Sequence, residues 1–88
     1  MAWTVRVEPR ALRELERLDR SAQVRILRFL KERVEGSSDP RSSGKPVRGE
    51  LGELWRYRLG DYRIVCRLED KILVVFVLRV AHRRDIYR

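Results

Sequence analysis

Two alternating runs near the middle of the chain constrain its fold more than any other feature. Residues 54–59 read Leu-Trp-Arg-Tyr-Arg-Leu, residues 62–68 read Tyr-Arg-Ile-Val-Cys-Arg-Leu, and only Gly60-Asp61 separates them. A glycine that opens a two-residue loop between period-two runs predicts a tight β-hairpin. So short a loop sets the register, because a slip of one residue would turn every side chain to the other face. Leu59 then faces Tyr62, and Arg58 faces Arg63. Trp55, Tyr57, Leu59, Tyr62, Ile64, Cys66 and Leu68 share the face that can pack on a core. Arg56, Arg58 and Arg63 gather on the opposite one.

The flanking sequence supplies what the hairpin packs against. Residues 2–7, Ala-Trp-Thr-Val-Arg-Val, have strand composition. Pro9 suits the first turn of a helix carrying Ala11, Leu12, Leu15 and Leu18 at helical spacing. Asp19 or Ser21 can cap a second helix, with Val24, Leu27, Leu30 and Val34 on one stripe, Ile26 and Phe29 widening it, and Gly36 ending it. Residues 36–46 read as a loop. After the Asp70-Lys71 turn, residues 72–80 are apolar on both faces apart from Arg79, which predicts a central strand lying beside the first one. The expected fold is α+β, in the order β-α-α-β-β-β. A helical hairpin covers one face of a small, mainly antiparallel four-stranded sheet. With 88 residues the chain holds one domain, 1–88.

Composition narrows the function. The chain has 21 Lys and Arg against 13 Asp and Glu, a net charge of +8, and 18 of the 21 cations are arginine. The guanidinium fork matches phosphate at two points, so the balance favours nucleic acid or an acidic protein partner. One cysteine, Cys66, excludes an internal disulfide and a cysteine metal cluster, and one histidine, His82, excludes a multi-histidine zinc site. No apolar run reaches the roughly 20 residues that span a bilayer, and the N-terminus lacks a signal-peptide pattern. A cytoplasmic protein without membrane attachment is expected. The glycines do not fit a phosphate-binding P-loop. Acids are scattered beside cations rather than clustered for metal-dependent cleavage, and no cofactor is implied.

The three hairpin arginines carry the chemical argument. Like charges directly opposed across a ladder destabilise it, their Cβ atoms lying roughly 4.5–5.5 Å apart. No acid in residues 54–59 or 62–68 shares their face. Long side chains splaying into water are one way out, and a bound polyanion is the other. The chain end favours the polyanion, since residues 79–88 add four arginines, His82 and Tyr87. Cleaving RNA through its 2′-hydroxyl needs a proton acceptor, cations for the charge on phosphorus, and a donor for the leaving 5′-oxygen. Arginine does not lose its proton, so Tyr87 or His82 must accept it. A phenol among guanidinium groups is expected to be more acidic than usual, and it could also stack on a base.

These residues carry a resemblance. Lys45-Pro-Val-Arg48-Gly49, Leu54-Trp-Arg-Tyr-Arg-Leu59, Gly60-Asp-Tyr62-Arg63 and His82-Arg83-Arg84-Asp-Ile-Tyr87-Arg88 resemble, over nearly the whole chain, the RelE/ParE toxin superfamily, and its RelE branch most closely. The resemblance implies the toxin of a type II toxin–antitoxin pair, a metal-independent endoribonuclease that cuts mRNA in the ribosomal A site and leaves a cyclic phosphate. By position it implies Arg56, Arg58, Arg63, Arg83 and Tyr87 as the catalytic set, with Lys45, Arg48, His82, Arg84 and Arg88 contacting nucleic acid around it. Some members carry lysines where this chain has Arg56 and Arg58. The partners implied are an acidic or amphipathic antitoxin wrapping the toxin, the ribosome with its mRNA, and operator DNA through the antitoxin complex only. A ParE-like inhibitor of DNA gyrase shares the fold and is the alternative activity. A degenerate toxin that binds only antitoxin and operator is a third.

Overall fold

A computed structural model of the chain describes residues 2–47 and 54–82. Arg48, Arg83, Arg84, Tyr87 and Arg88, all expected in the site, lie outside the described residues. Strand β1 (Thr4–Val7) leads to helix α1 (Pro9–Glu16) and helix α2 (Arg20–Phe29). Then come β2 (Lys45–Pro46), β3 (Leu54–Leu59), β4 (Tyr62–Glu69) and β5 (Val74–His82). The sheet order is β1-β5-β4-β3-β2. β1 runs parallel to β5, and the other pairs are antiparallel. The α+β class and the place of the last strand beside the first are as read from the sequence. Among the described residues the sheet has five strands rather than four, because Lys45 and Pro46, expected in a loop, pair with Arg56 and Trp55. A proline is tolerated there because β2 is a short edge strand.

The helices start and stop for local reasons. Pro9 opens α1. The Asp19 carboxylate accepts from the Ala22 N–H at 2.7 Å and caps α2. α2 runs on into a π-helical turn over Leu30–Val34, closed by the Glu35 N–H donating to the Leu30 carbonyl at 2.8 Å. Gly36 then takes φ +80°, and its N–H donates to the carbonyl of Trp3, tying the helix end to β1.

One face of the sheet is the core. Tyr57, Ile64, Cys66, Val75, Val77 and Val80 meet Ala11, Leu15, Ile26, Leu30 and Val34 there, all buried. The buried face of α2 is therefore Ala22, Ile26, Leu30 and Val34. Val24 and Leu27, expected to be inside, are 44% and 46% exposed, and Leu12 of α1 is 47% exposed. The apolar stripe of each helix is wider than the sheet beneath it can cover. Ile72, expected in the last strand, lies in the turn and is 61% exposed; β5 begins two residues later and runs to His82.

Candidate nucleic-acid interface

The hairpin register puts the cations where the alternation requires. Leu59 pairs with Tyr62, Arg58 with Arg63 and Arg56 with Val65. On the other side of β3, Lys45 pairs with Arg56. Lys45, Arg56, Arg58 and Arg63 thus lie on the sheet face turned away from the helices. Gly44, Lys45, Arg56 and Arg58 line a concavity of about 270 Å³ on it. Gly44 makes it possible. At φ +82° a side chain is strained, and a Cβ would land on the Arg56 carbonyl oxygen and the Trp55 indole nitrogen. That indole N–H donates to the Ser43 carbonyl at 2.8 Å, holding β2 against β3.

Arg63 differs from its neighbours. It is 7% exposed, the one buried charged residue among the described residues. Its Nε and Nη1 are buried without a hydrogen-bond partner. A charge taken out of water and left unpaired is costly. The fold holds this one beside Arg58, whose side chain is exposed, so that a neighbouring like charge adds to the cost.

The end of β5 is set by a bulge. Cys66 pairs with Val77 but Val65 with Arg79, so Leu78 is an extra residue and the faces exchange beyond it. Val80 turns into the core, and the small Ala81 stands opposite Arg63. His82 pairs with Tyr62 on the helix-side face, its ring edge-on to that phenol at 5.8 Å. His82 thus lies on the opposite face from the hairpin arginines, where without the bulge it would share theirs. Arg79 is also drawn off. The Glu14 carboxylate accepts from Arg79 Nε and from the Val80 N–H, both at 2.9 Å, and so covers the β5 edge beyond β1.

Two buried groups are structural. The Tyr57 hydroxyl donates to the Pro40 carbonyl at 2.6 Å, and burial pushes its pKa well above the ordinary 10.0. Burial likewise pushes the Cys66 thiol far up from 9.0, so it is no nucleophile. Among the described residues no three His, Cys, Asp or Glu side chains converge as a metal site, and no helix is long and apolar enough to cross a membrane.

Sequence reasoning missed three features of this face and its rim. Gly44 had been one loop glycine among several, and its role shows only once β2 is paired. The Arg25 guanidinium reaches the hairpin tip, where a Cβ on Gly60 would stand 3.3 Å from its Nη2. Arg67 lies over the ring of Phe76 at 4.8 Å, further along the same face. Its face follows from the alternation that sets Arg63, Val65 and Arg67 together; the contact with Phe76 does not.

Comparison with known proteins agrees with this architecture. The family described as "ParE toxin of type II toxin-antitoxin system, parDE" matches residues 5–87. Toxin RelG of Mycobacterium tuberculosis is 41% identical over 90 residues, covering 100% of this chain and 99% of the relative. Toxin RelE of the same organism is 32% identical, covering 98% and 87%. Among solved structures, the toxin–antitoxin complex RelBE2 from Mycobacterium tuberculosis aligns with a TM-score of 0.84 at 34% identity, over 94% of this chain and 100% of that one. A mutant of E. coli toxin RelE in the free state aligns with a TM-score of 0.77 at 26% identity, over 99% and 92%. A basic sheet face on a two-helix, five-strand scaffold and relatives matched over nearly their full length lead to one assignment: the chain belongs to the RelE/ParE superfamily of toxins of type II toxin–antitoxin systems.

Proposed function

We propose that this toxin is a ribosome-dependent mRNA endoribonuclease. The observation that carries the reading is Arg63, a buried guanidinium with two partnerless nitrogens, register-paired to Arg58 and next to the Arg56–Lys45 row. An anion offsets both the burial and the repulsion, and a phosphodiester is the anion that a guanidinium fork fits. In the proposed step the 2′-oxygen attacks the adjacent phosphorus and the P–O5′ bond breaks, leaving a 2′,3′-cyclic phosphate and a 5′-hydroxyl. Arg56, Arg58 and Arg63 balance the charge that builds on the phosphoryl oxygens. Tyr87, as the phenolate, accepts the 2′-hydroxyl proton, a role supported by the placing of His82 on the other face; Arg83 steadies the charge on the leaving oxygen, which takes a proton from water to become the 5′-hydroxyl. Lys45, Arg48, Arg84 and Arg88 bind the flanking message.

The test is incubation of the purified toxin with ribosomes programmed with a defined message. The reading expects A-site cleavage with cyclic phosphate at the new 3′ end, and loss of about 100-fold or more in Arg63→Ala, the scale of removing one charge-stabilising group. Intact message under conditions that saturate the ribosome would overturn it. The ParE description of the matched family keeps inhibition of DNA gyrase as the second reading; inhibited supercoiling by purified gyrase with intact message would establish that one.

The proposed partner is an antitoxin, as in the RelBE complexes of the structural relatives. The apolar surface that the sheet leaves uncovered supports it. Val5, Val7, Leu27, Leu30, Lys31 and Glu35 line a groove of about 340 Å³ between β1 and α2. Leu27 and Lys31 also border a concavity of about 660 Å³ with Val24, Arg28 and Glu32. An amphipathic segment with acidic flanks fits an apolar channel bordered by Arg28 and Lys31.

A further inference from the structure

The outer sheet face continues past the arginine concavity. Two residues further along β4 from the Arg56–Val65 pair, Arg67 pairs with Phe76, and Phe76 pairs in turn with Arg6 of β1. All three share the face of Arg58 and Arg63. Arg6 is exposed and Phe76 is half-buried. The Arg67 guanidinium carbon stands 4.8 Å from the Phe76 ring centroid, and Glu69 accepts from Arg67 Nε at 2.9 Å. A large aromatic on an open sheet face between two arginines is not what core packing asks for, because the core lies on the other side.

We propose that Arg6, Phe76 and Arg67 form a stacking subsite for one base of single-stranded RNA, outside the nucleotides that undergo cleavage. It deepens the endoribonuclease reading and rests on it. An aromatic ring and a guanidinium plane both take a nucleobase face regardless of its identity. Arg67 braces the ring, and Arg6 lies beside it for the accompanying phosphate. Arg67 and Arg63 are four residues apart on one strand, or about 13 Å at ordinary strand rise. The strip between them holds Arg56 and Val65, with no acid among the described residues that share this face there. A short stretch of message can lie along that strip with its phosphates on the hairpin cations and a flanking base at Phe76.

The test is single-turnover cleavage on ribosomes carrying messages with one abasic nucleotide, moved in steps to either side of the cleaved bond. For the natural toxin one flanking position should raise the half-saturating toxin concentration about tenfold, the scale of one base stacked on an aromatic. Phe76→Leu should show that raised value on the unmodified message and no added effect of the abasic site. Phe76→Tyr, which keeps the ring, should behave as the natural protein, so a folding defect in the leucine variant would not mimic the result. If Phe76→Leu keeps the full abasic profile, the inference is overturned while the nuclease reading stands. The same holds if its one defect is weaker antitoxin capture, which would give this face to the protein partner. If the natural toxin cleaves no message, the underlying reading falls and the inference with it.

Discussion

Arg58 and Arg63 are direct partners across the β3–β4 ladder, one exposed and the other only 7% exposed. Two like charges at one rung gain nothing for the fold, and the buried one has Nε and Nη1 without partners. The arrangement makes sense as affinity for an anion held in reserve at the expense of stability.

Replacing Arg63 with methionine should therefore stabilise the toxin while removing its activity. Loss of one unpaired buried charge is worth about 1 kcal/mol or more, a rise of ~4–8 °C in Tm for a chain of this size. Inorganic phosphate should raise the Tm of the natural protein and leave the variant unmoved. Calorimetry with and without phosphate checks both, and a lower Tm for the variant would mean that Arg63 is already satisfied.

Gly44→Ala should be costly for its size. The residue combines a positive φ with backbone and indole atoms where the Cβ would go. The expected loss is about 2 kcal/mol or more in denaturant unfolding. β2 should detach with it, because the Trp55–Ser43 bond crosses the same spot. A protected Trp55 indole proton in the variant by hydrogen exchange would contradict this.

Stability should fall on the alkaline side in two stages. Burial raises the Cys66 thiol above its ordinary 9.0 and the Tyr57 phenol above its ordinary 10.0. The unfolded chain loses these protons first, so stability is complete below pH 9 and declines as pH rises. The slope should be about 1.4 kcal/mol per pH unit above pH 9 and about twice that above pH 10. Cys66→Ala should remove the first stage and keep the second, as read from unfolding curves at stepped pH.

Serine at Val24 and Leu27 together should leave cleavage unchanged and lower the Tm by only a few degrees, since the two residues are 44% and 46% exposed. Antitoxin affinity should drop about 30-fold or more if they are central contacts. Titration calorimetry with the cognate antitoxin reads this directly, and unchanged affinity would move the interface elsewhere.

The legible part of the fold was the part with strong local rules. Gly60-Asp61 dictated the hairpin register, and with it the meeting of Arg56, Arg58 and Arg63, because period two leaves one choice. The two-sided apolar run over residues 72–80 marked β5 as central for the same kind of reason, although the strand itself starts at Val74. What escaped depended on tertiary context. Lys45-Pro46 has no strand signal of its own and pairs because Gly44 lets the chain approach Trp55 and Arg56. Val24 and Leu27 match Ile26 and Leu30 in hydrophobicity, and only the width of the sheet decides which are covered. His82 sits on the helix-side face because Leu78 bulges, and a single inserted residue leaves no trace in composition. The burial of Arg63 was invisible too, since alternation assigns a face but not an exposure.

The most direct test of the central claim, that the outward arginines of this sheet hold a message for cutting, is primer-extension mapping of cellular transcripts during induced expression. The account predicts new 5′ ends within translated reading frames for the natural toxin, and none for Arg63→Ala or Tyr87→Phe at equal protein level. Growth arrest by the natural toxin with transcripts intact and gyrase inhibited would contradict it.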